Sequence, residues 1–214
     1  MTKTNKSSYT SNFFGKLKKK LSHSQETKND IPASVITKQP SISSEAPPNP
    51  YYSPELTNIL FLSKRGLSRS PLAREVMRKL LHLSDHFGSV RPSARGISDA
   101  YEFCPFDKRM VHSARKYGYE LKGNARRVNM GDLSSANLIV TLDQESEQYT
   151  KTRKYYIRGE VRPIGMFLSA GSLPFIADPF ERDDSTDANN NYEQIIQSVE
   201  FGCGNLLKSL PSLV

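Results

Sequence analysis

The sequence predicts an α/β domain of three layers, in which helices cover both faces of a central, mostly parallel sheet of four strands. Short apolar runs alternate along the chain with longer amphipathic stretches, an order typical of parallel strands joined by helices. The first apolar run also leads directly into a polar loop and then into a helix. This order predicts a ligand crevice at the carboxyl ends of the strands.

The four predicted strands are short and apolar. Residues 58–62 (NILFL) form a continuous apolar run, which is typical of a strand that is buried on both faces. Further strands are predicted at residues 90–97, 137–142 and 161–167. Together they are sufficient for one sheet in a domain of ordinary size.

Three helices are predicted from their apolar faces. The first begins at Ser70-Pro71, with Pro71 at the first helical position, where the missing N–H has no partner to lose. Its apolar face consists of Leu72, Val76, Leu80 and Leu83. The second helix is predicted at residues 106–117, and a long C-terminal helix at residues 192–210. The apolar residues of the C-terminal helix are Ile195, Ile196, Val199, Cys203, Leu206, Leu207 and Leu210.

The chain divides into a tail, residues 1–54, and a domain, residues 55–214. The first 50 residues contain eight Lys, no Arg and three acidic residues, a net charge of +5, whereas the other 164 residues contribute only +3. The tail is rich in Ser, Thr, Asn, Lys and Pro, which bury too little apolar surface to offset the entropy of ordering. The tail is therefore predicted to be disordered, and it carries most of the net charge.

Residues 12–21 (NFFGKLKKKL) differ from the rest of the tail. Their Phe and Leu residues recur at intervals of three and four with lysines between them, so a helix here would be basic and amphipathic. Two interpretations stay open: weak binding to an anionic membrane surface or an acidic partner, or a solvated lysine run that Gly15 interrupts. No specific nucleic-acid partner is predicted, because lysines without Arg or an aromatic stacking platform support only nonspecific attraction to phosphates.

Composition excludes several classes of protein. No apolar run approaches the roughly 20 residues that a membrane-spanning helix needs. Cys104 and Cys203 are too few for a disulfide framework and too far apart for a CxxC site, and neither a metal nor a cofactor is predicted. The N-terminus lacks the apolar stretch of a secretory signal. A cytoplasmic protein is predicted, with peripheral membrane association through the basic tail as an alternative.

The loop after the first strand, residues 63–70 (SKRGLSRS), has features of an anion site. A loop between a buried strand and a helix N-terminus presents several backbone N–H groups to one point, and the helix dipole adds partial positive charge. Arg69 carries a planar guanidinium that matches two phosphate oxygens. The GxxxxGK[ST] pattern of nucleotide-binding loops is missing, so ATP or GTP is not indicated. The loop alone is equally compatible with a phosphate site and with an ordinary polar connection.

Residues 59–71 resemble the signature of the low-molecular-weight protein tyrosine phosphatases, in which a strand is followed by Cys, five residues, Arg, Ser and Pro. Further landmarks of that family follow in the same order across residues 57–213, and they end with Asp178-Pro179-Phe180 ahead of the last helix. The resemblance implies the phosphotyrosine protein phosphatase fold and the hydrolysis of phosphate monoesters.

The resemblance also implies roles for individual residues. Arg69 would grip the phosphoryl oxygens, Ser70 would steady the nucleophile, and Asp178 would protonate the leaving oxygen. Phe180 would flank the ring of the substrate. The position of the nucleophile, which is Cys in the family, is occupied by Ser63.

The loop departs from the family pattern at several positions. Arg65-Gly66 replace the usual Gly-Asn, and Ser68 stands where many members carry a second Cys. Together with Ser63, these departures favour natural divergence over a laboratory Cys-to-Ser substitution, although the sequence leaves both open. Lys64 and Arg65 are expected to add positive charge and so to strengthen anion binding. All eight loop residues are expected to contact the phosphate: Ser63, Lys64, Arg65, Gly66, Leu67, Ser68, Arg69 and Ser70.

The sequence therefore predicts a catalytically impaired member of this family, a pseudophosphatase that binds phosphate or a phosphotyrosine-containing protein. A thiol in such a loop is a thiolate at neutral pH, whereas a serine hydroxyl stays protonated unless a general base lies beside it. None of the four His residues has a sequence pattern that pairs it with a carboxylate. Two alternatives stay open: an active tyrosine phosphatase, if Ser63 is engineered or reacts slowly, and a scaffold whose pocket binds nothing.

Overall fold

Four parallel strands form a single sheet in the computed structural model, which describes residues 56–180 and 188–210. The strands are β1 (Thr57–Ser63), β2 (Val90–Gly96), β3 (Leu138–Thr141) and β4 (Glu160–Pro163), and their order in the sheet is β2-β1-β3-β4. Each neighbouring pair is parallel, so the predicted α/β fold with a four-stranded sheet is confirmed. The predictions for the tail, including the basic segment at residues 12–21, lie outside the described residues.

Five helices of the described ranges accompany the sheet. They are α1 (Arg69–His82), α2 (Lys108–Lys116), α3 (Met130–Ser135), α4 (Gln144–Lys151) and α5 (Ala188–Ser209). The sequence predicted α1, α2 and α5 but neither α3 nor α4, because these two are short and polar and show no apolar period. Both begin instead with a reciprocal cap, from Asn129 in α3 and from Asp143 in α4. Within the described residues, no helix has the length and apolar character that crossing a membrane requires.

Two details of the predicted helix α1 are wrong. The helix begins at Arg69, so Pro71 is its third residue, where a backbone N–H would still have no partner within the helix. Leu83 lies just beyond the last helical residue and is 48% exposed, so it does not belong to the buried face.

The predicted strand at residues 161–167 is half strand and half helix. β4 ends at Pro163, and a 3₁₀ turn, Ile164–Phe167, buries Ile164 and Phe167 against the core. The backbone turns here because Gly165 lies directly against the backbone of Pro174 and donates its N–H to the Pro174 carbonyl. The apolar residues of this segment therefore predict a strand but do not reveal the bend in it.

Both faces of β1 are buried, which explains its uninterrupted apolar run. Ile59 and Phe61 belong to a core shared with α1, α2 and α5, whereas Leu60 and Leu62 face a second, smaller core that includes Leu133 of α3. Successive residues of a strand point to opposite faces, so the sheet separates the two cores and the fold has three layers.

The parallel register brings the ends of three strands to one edge of the sheet. Ser63 at the end of β1 is paired with Gly96 at the end of β2, and β3 ends one position earlier, at Thr141. Side chains that follow these strands therefore meet at this edge.

Two glycines let the loop after β1 lie against the end of β2. Gly66 has a φ of +72°, and a Cβ on it would lie 2.8 Å from the backbone nitrogen of Gly96. A Cβ on Gly96 would in turn lie 2.7 Å from the carbonyl oxygen of Arg65. The two backbones are in direct contact, which holds the loop in place.

Substitution of Gly66 tests this contact. Gly66→Ala is expected to lower the free energy of unfolding by about 3 kcal/mol or more, because the new Cβ is strained by the positive φ and also overlaps Gly96. Gly88→Ala is the matched control, since Gly88 has a φ of +85° and open space around the added Cβ. Its expected loss is about 1 kcal/mol. Equal losses in chemical denaturation would mean that the contact contributes nothing.

A half-buried carboxyl group links α5 to the chain after α2. The hydroxyl of Tyr119 donates to Oε1 of Glu200 at 2.6 Å. Burial raises the pKa of Glu200 above its ordinary value, against the opposing effects of the Tyr119 hydrogen bond and of Lys79. The folded protein therefore holds the Glu200 proton more tightly than the unfolded chain does.

This pKa shift gives stability a pH dependence of known sign. The contribution of Glu200 is most favourable below its ordinary pKa, and it falls as the pH rises toward the raised pKa of the folded state. Glu200→Gln is expected to remove this fall, which denaturation measured at a series of pH values between 4 and neutrality, roughly, will detect. Glu102→Gln, at an exposed position, is the control. An identical pH profile for Glu200→Gln and wild type would contradict the assignment.

Candidate phosphate-binding site

The carbonyl groups of the loop 63–70 accept hydrogen bonds from residues outside the loop, and these bonds hold the loop in place. The N–H groups of Ile97, Ser98 and Asp107 donate to the carbonyls of Ser63, Lys64 and Leu67, each at 3.1 Å. The first N–H to bond within α1 is that of Leu72, which donates to the Ser68 carbonyl. The amides of Ser68, Arg69 and Ser70 come before it and have no partner within the helix. They are the kind of donors that bind an anion at a helix N-terminus.

Ser63 lies at the base of this loop and is buried. Its Oγ accepts a hydrogen bond from the Gly66 N–H at 3.2 Å and is 2.9 Å from Oγ of Ser70. Ser70 must donate its own proton to the Arg95 carbonyl, 3.1 Å away, because a carbonyl can only accept. The proton of Ser63 is therefore the one shared with Ser70, and the hydroxyl of Ser63 is the first donor in a chain that ends on the backbone.

Arg69 is buried at the start of α1 and already has several partners. Its Nη2 lies 2.9 Å from Oδ2 of both Asp143 and Asp178, and its Nη1 donates to the Ile176 carbonyl at 2.8 Å. Only 4% of Arg69 is exposed. An incoming phosphate would have to share this guanidinium with two carboxylates.

Asp178, the residue that would act as the acid, is held by two arginines. Its Oδ2 accepts from Nη2 of Arg69 and also forms an ion pair with Nη1 of Arg65. Its Oδ1 accepts from the N–H of Phe180 at 3.1 Å. Both carboxylate oxygens of Asp178 are therefore already engaged by donors.

Arg65 extends from the loop to the two aromatic residues at the mouth of the site. Its Cζ lies over the ring of Phe180, 5.0 Å from the centroid, and over the ring of Tyr101 at 5.8 Å. These distances are within the range of cation–π contacts. The Arg65 side chain is 18% exposed, so it is largely enclosed by these partners.

Lys64 and Arg65 each have an acidic partner, which compensates the positive charge that the sequence predicts at the loop. Arg65 is paired with Asp178, and Nζ of Lys64 lies 2.7 Å from Oε1 of Glu145, which accepts its hydrogen bond and so has a lowered pKa. The amide of Lys64 is also taken, since it donates to Oδ2 of Asp143. The sequence shows the two cations side by side but does not show the acids that distant segments place beside them.

Asp143 is the residue of the site that sequence reasoning missed as a functional group. One carboxylate oxygen caps α4 by accepting from the Ser146 N–H, and the other contacts Arg69 and the Lys64 amide. The signal was present: Asp143 follows β3 almost directly, at the edge where the site is expected. Asp107 is a second such residue, since it accepts from the hydroxyl of Ser68 at 3.1 Å.

A cavity of about 650 Å³ opens beside the two aspartates. Polar residues at the start of α4, including Gln144 and Gln148, line one side, and residues 173–178 line the other. Arg69, Asp143 and Asp178 lie in its wall. Of the loop 63–70, the cavity lining includes Arg69. The two arginines and two aspartates of the site are formally neutral as a group.

Comparison with known proteins identifies the family. The profile of the family described as low molecular weight phosphotyrosine protein phosphatase matches residues 58–213. This match covers most of the chain, so the chain belongs to that family. The family that the sequence predicts is thereby confirmed.

The individual relatives are distant in sequence, but each match covers nearly the whole length of the relative. The chain is 24% identical to the low molecular weight protein-tyrosine-phosphatase YfkJ of Bacillus subtilis, covering 72% of this chain and 96% of that protein. It is also 24% identical to low molecular weight phosphotyrosine protein phosphatase 2 of Drosophila melanogaster, over 71% and 91% of the two chains.

Solved structures share the fold. The crystal structure of a protein tyrosine phosphatase from Entamoeba histolytica, with Hepes in its active site, gives a TM-score of 0.66 at 20% identity. The crystal structure of YfkJ gives 0.65 at 21% identity. Each covers 73% of this chain and at least 96% of the solved one.

Removing the charge of Asp178 tests where an anion binds. Asp178→Asn is expected to raise the affinity for inorganic phosphate by about tenfold, because it removes a negative charge at Arg69 and frees Arg65. Asp99→Asn is the control, since the Asp99 side chain is 75% exposed and lies 3.8 Å from Arg127. Calorimetric titration measures both. Unchanged or weaker binding by Asp178→Asn would place the anion away from Arg69.

Proposed function

We propose that this protein is a non-catalytic member of its family that binds a phosphate group in the loop 63–70. The observation that carries the proposal is the hydrogen-bond chain from Ser63 through Ser70 to the Arg95 carbonyl. It places a neutral donor where the family has a nucleophile.

The chemistry of the two side chains differs at this position. Loop amides and arginine lower the pKa of a cysteine until it is a thiolate at neutral pH. A serine hydroxyl has a far higher pKa, so it needs a general base within hydrogen-bonding distance to become nucleophilic. Among the described residues, no carboxylate or imidazole hydrogen-bonds with Oγ of Ser63. Ser70, its partner, is not a base at neutral pH.

The acid is disabled together with the nucleophile. Asp178 would have to donate a proton to a leaving group, yet its Oδ2 is already engaged by both Arg65 and Arg69. Arg65 is itself one of the departures from the family pattern. The positions of the nucleophile and of the acid are thus both affected by residues of the loop, and both effects oppose catalysis.

The features that bind phosphate are retained. Gly66 adopts the left-handed conformation that the turn needs, the amides at the start of α1 have no helical partners, and Arg69 is buried beside them. A phosphate dianion also meets no thiolate here. Binding without cleavage is the function that this combination supports best.

Turnover of p-nitrophenyl phosphate tests the proposal. The wild-type chain is expected to hydrolyse it no faster than Ser63→Ala, because no base activates Ser63. Ser63→Cys is expected to gain turnover, at least about tenfold above Ser63→Ala, because the loop amides convert a thiol to a thiolate. Sustained wild-type turnover that Ser63→Ala abolishes would contradict the proposal and would support an active serine-dependent phosphatase.

One observation favours a second candidate, a scaffold whose pocket binds nothing. Arg69 already has two carboxylates and a carbonyl as partners, so the site is satisfied without a ligand. Amide chemical shifts of the loop 63–70 during a titration with inorganic phosphate separate the two candidates. Saturable shifts near Arg69 that Arg69→Ala abolishes support binding, whereas unchanged shifts support the scaffold.

A further inference from the structure

We propose that Arg65 makes this pocket selective for small inorganic oxyanions over aryl phosphate esters. This inference rests on the proposed function, because it requires that the loop 63–70 binds an anion. It goes further because it says that Arg65 occupies the part of the pocket that the ring of an aromatic substrate would need. That part, the ring subsite, is formed by Tyr101 and Phe180.

The guanidinium of Arg65 takes the ring subsite for itself. It lies over the rings of both Tyr101 and Phe180, and its Nε is 3.4 Å from the hydroxyl oxygen of Tyr101. The same group forms the ion pair with Asp178 below. A planar cation thus lies against the aromatic faces that would otherwise stack on the ring of a phosphotyrosine or phenyl phosphate.

The backbone of Arg65 is fixed, so its side chain cannot leave by a simple shift of the loop. Its carbonyl oxygen is in contact with Gly96, where a Cβ would come within 2.7 Å. The neighbouring Gly66 is in contact with the backbone of Gly96 in the same way, and the carbonyl on the other side, that of Lys64, accepts from Ser98. Rotation of the Arg65 side chain is therefore what would open the ring subsite.

Such a rotation carries a cost that depends on the ligand. An aryl ester has to displace Arg65 from both rings and from Asp178, which leaves a carboxylate with 5% side-chain exposure short of one partner. An oxyanion of the size of phosphate shares Arg69 with the two carboxylates just as the ester does, but it has no ring to place. Arg65 can then remain where it is and contribute its charge.

Paired titrations of the full chain with inorganic phosphate and with phenyl phosphate test this selectivity. The readout is the ratio of the two dissociation constants. Removing a charge weakens the binding of both ligands, and this shared effect cancels in the ratio. Wild type is expected to bind phenyl phosphate at least about tenfold more weakly than phosphate, since only the ester must displace Arg65. Arg65→Ala is expected to bring the two constants to within about threefold of each other.

Two further variants keep the test specific. Arg126→Ala is the matched control, because Arg126 is also an arginine over an aromatic ring, that of Phe103 at 4.6 Å. It is expected to leave the ratio unchanged. Arg65→Lys keeps the charge but not the planar group, and is expected to give a ratio between those of wild type and Arg65→Ala.

The outcomes separate this inference from the proposed function. If wild type binds phenyl phosphate as tightly as phosphate, or if Arg65→Ala changes both constants by the same factor, the selectivity is overturned while anion binding stands. If neither ligand binds wild type or Arg65→Ala, with circular dichroism showing both folded, the proposed function itself fails and the selectivity fails with it.

Discussion

The buried guanidinium of Arg69 is the group on which the rest of the site depends. A buried charge is costly unless it is fully paired, so the surrounding segments have to supply its partners. The end of β3 supplies Asp143, and residues 173–178 supply Asp178 and the Ile176 carbonyl. The N–H of Ile176 donates in turn to the Leu142 carbonyl, which attaches this segment to the same end of β3. One charge therefore connects the start of α1 to two other parts of the fold.

The loop departs from the family pattern in its side chains without losing its shape. Its conformation is held by backbone hydrogen bonds to the chain after β2 and to Asp107, and the Gly66 N–H also donates to Oγ of Ser63. The turn at Gly66 is thus formed in a loop that carries Ser63 and Arg65 in place of the usual residues. The pocket can therefore change its chemistry more easily than its geometry, which is why a family fold alone does not establish an activity.

Much of the fold could be predicted from local pattern. The strands β1 and β3 and the helices α1, α2 and α5 are visible as apolar runs or apolar faces, because burial imposes those periods directly. The pattern is weaker in β2 and β4, which are only partly buried and contain arginines, and it failed for α3 and α4, which are capped polar helices. Within the site, the resemblance to the family pointed to the loop, Arg69, Asp178 and Phe180, but not to the contacts of Asp143 and Asp107.

What the sequence by itself determined is the chemistry at each position: a hydroxyl at residue 63 in place of a thiol, a guanidinium at residues 65 and 69, and a glycine where the turn needs a positive φ. Only the tertiary structure decided how those groups are used. It directed the Ser63 proton toward Ser70, paired Lys64 with Glu145, and placed Arg65 on Asp178 and two aromatic rings. The physical reason is that hydrogen bonds and ion pairs depend on distances of a few ångströms between residues that are, as for Arg65 and Asp178, 113 positions apart in the chain.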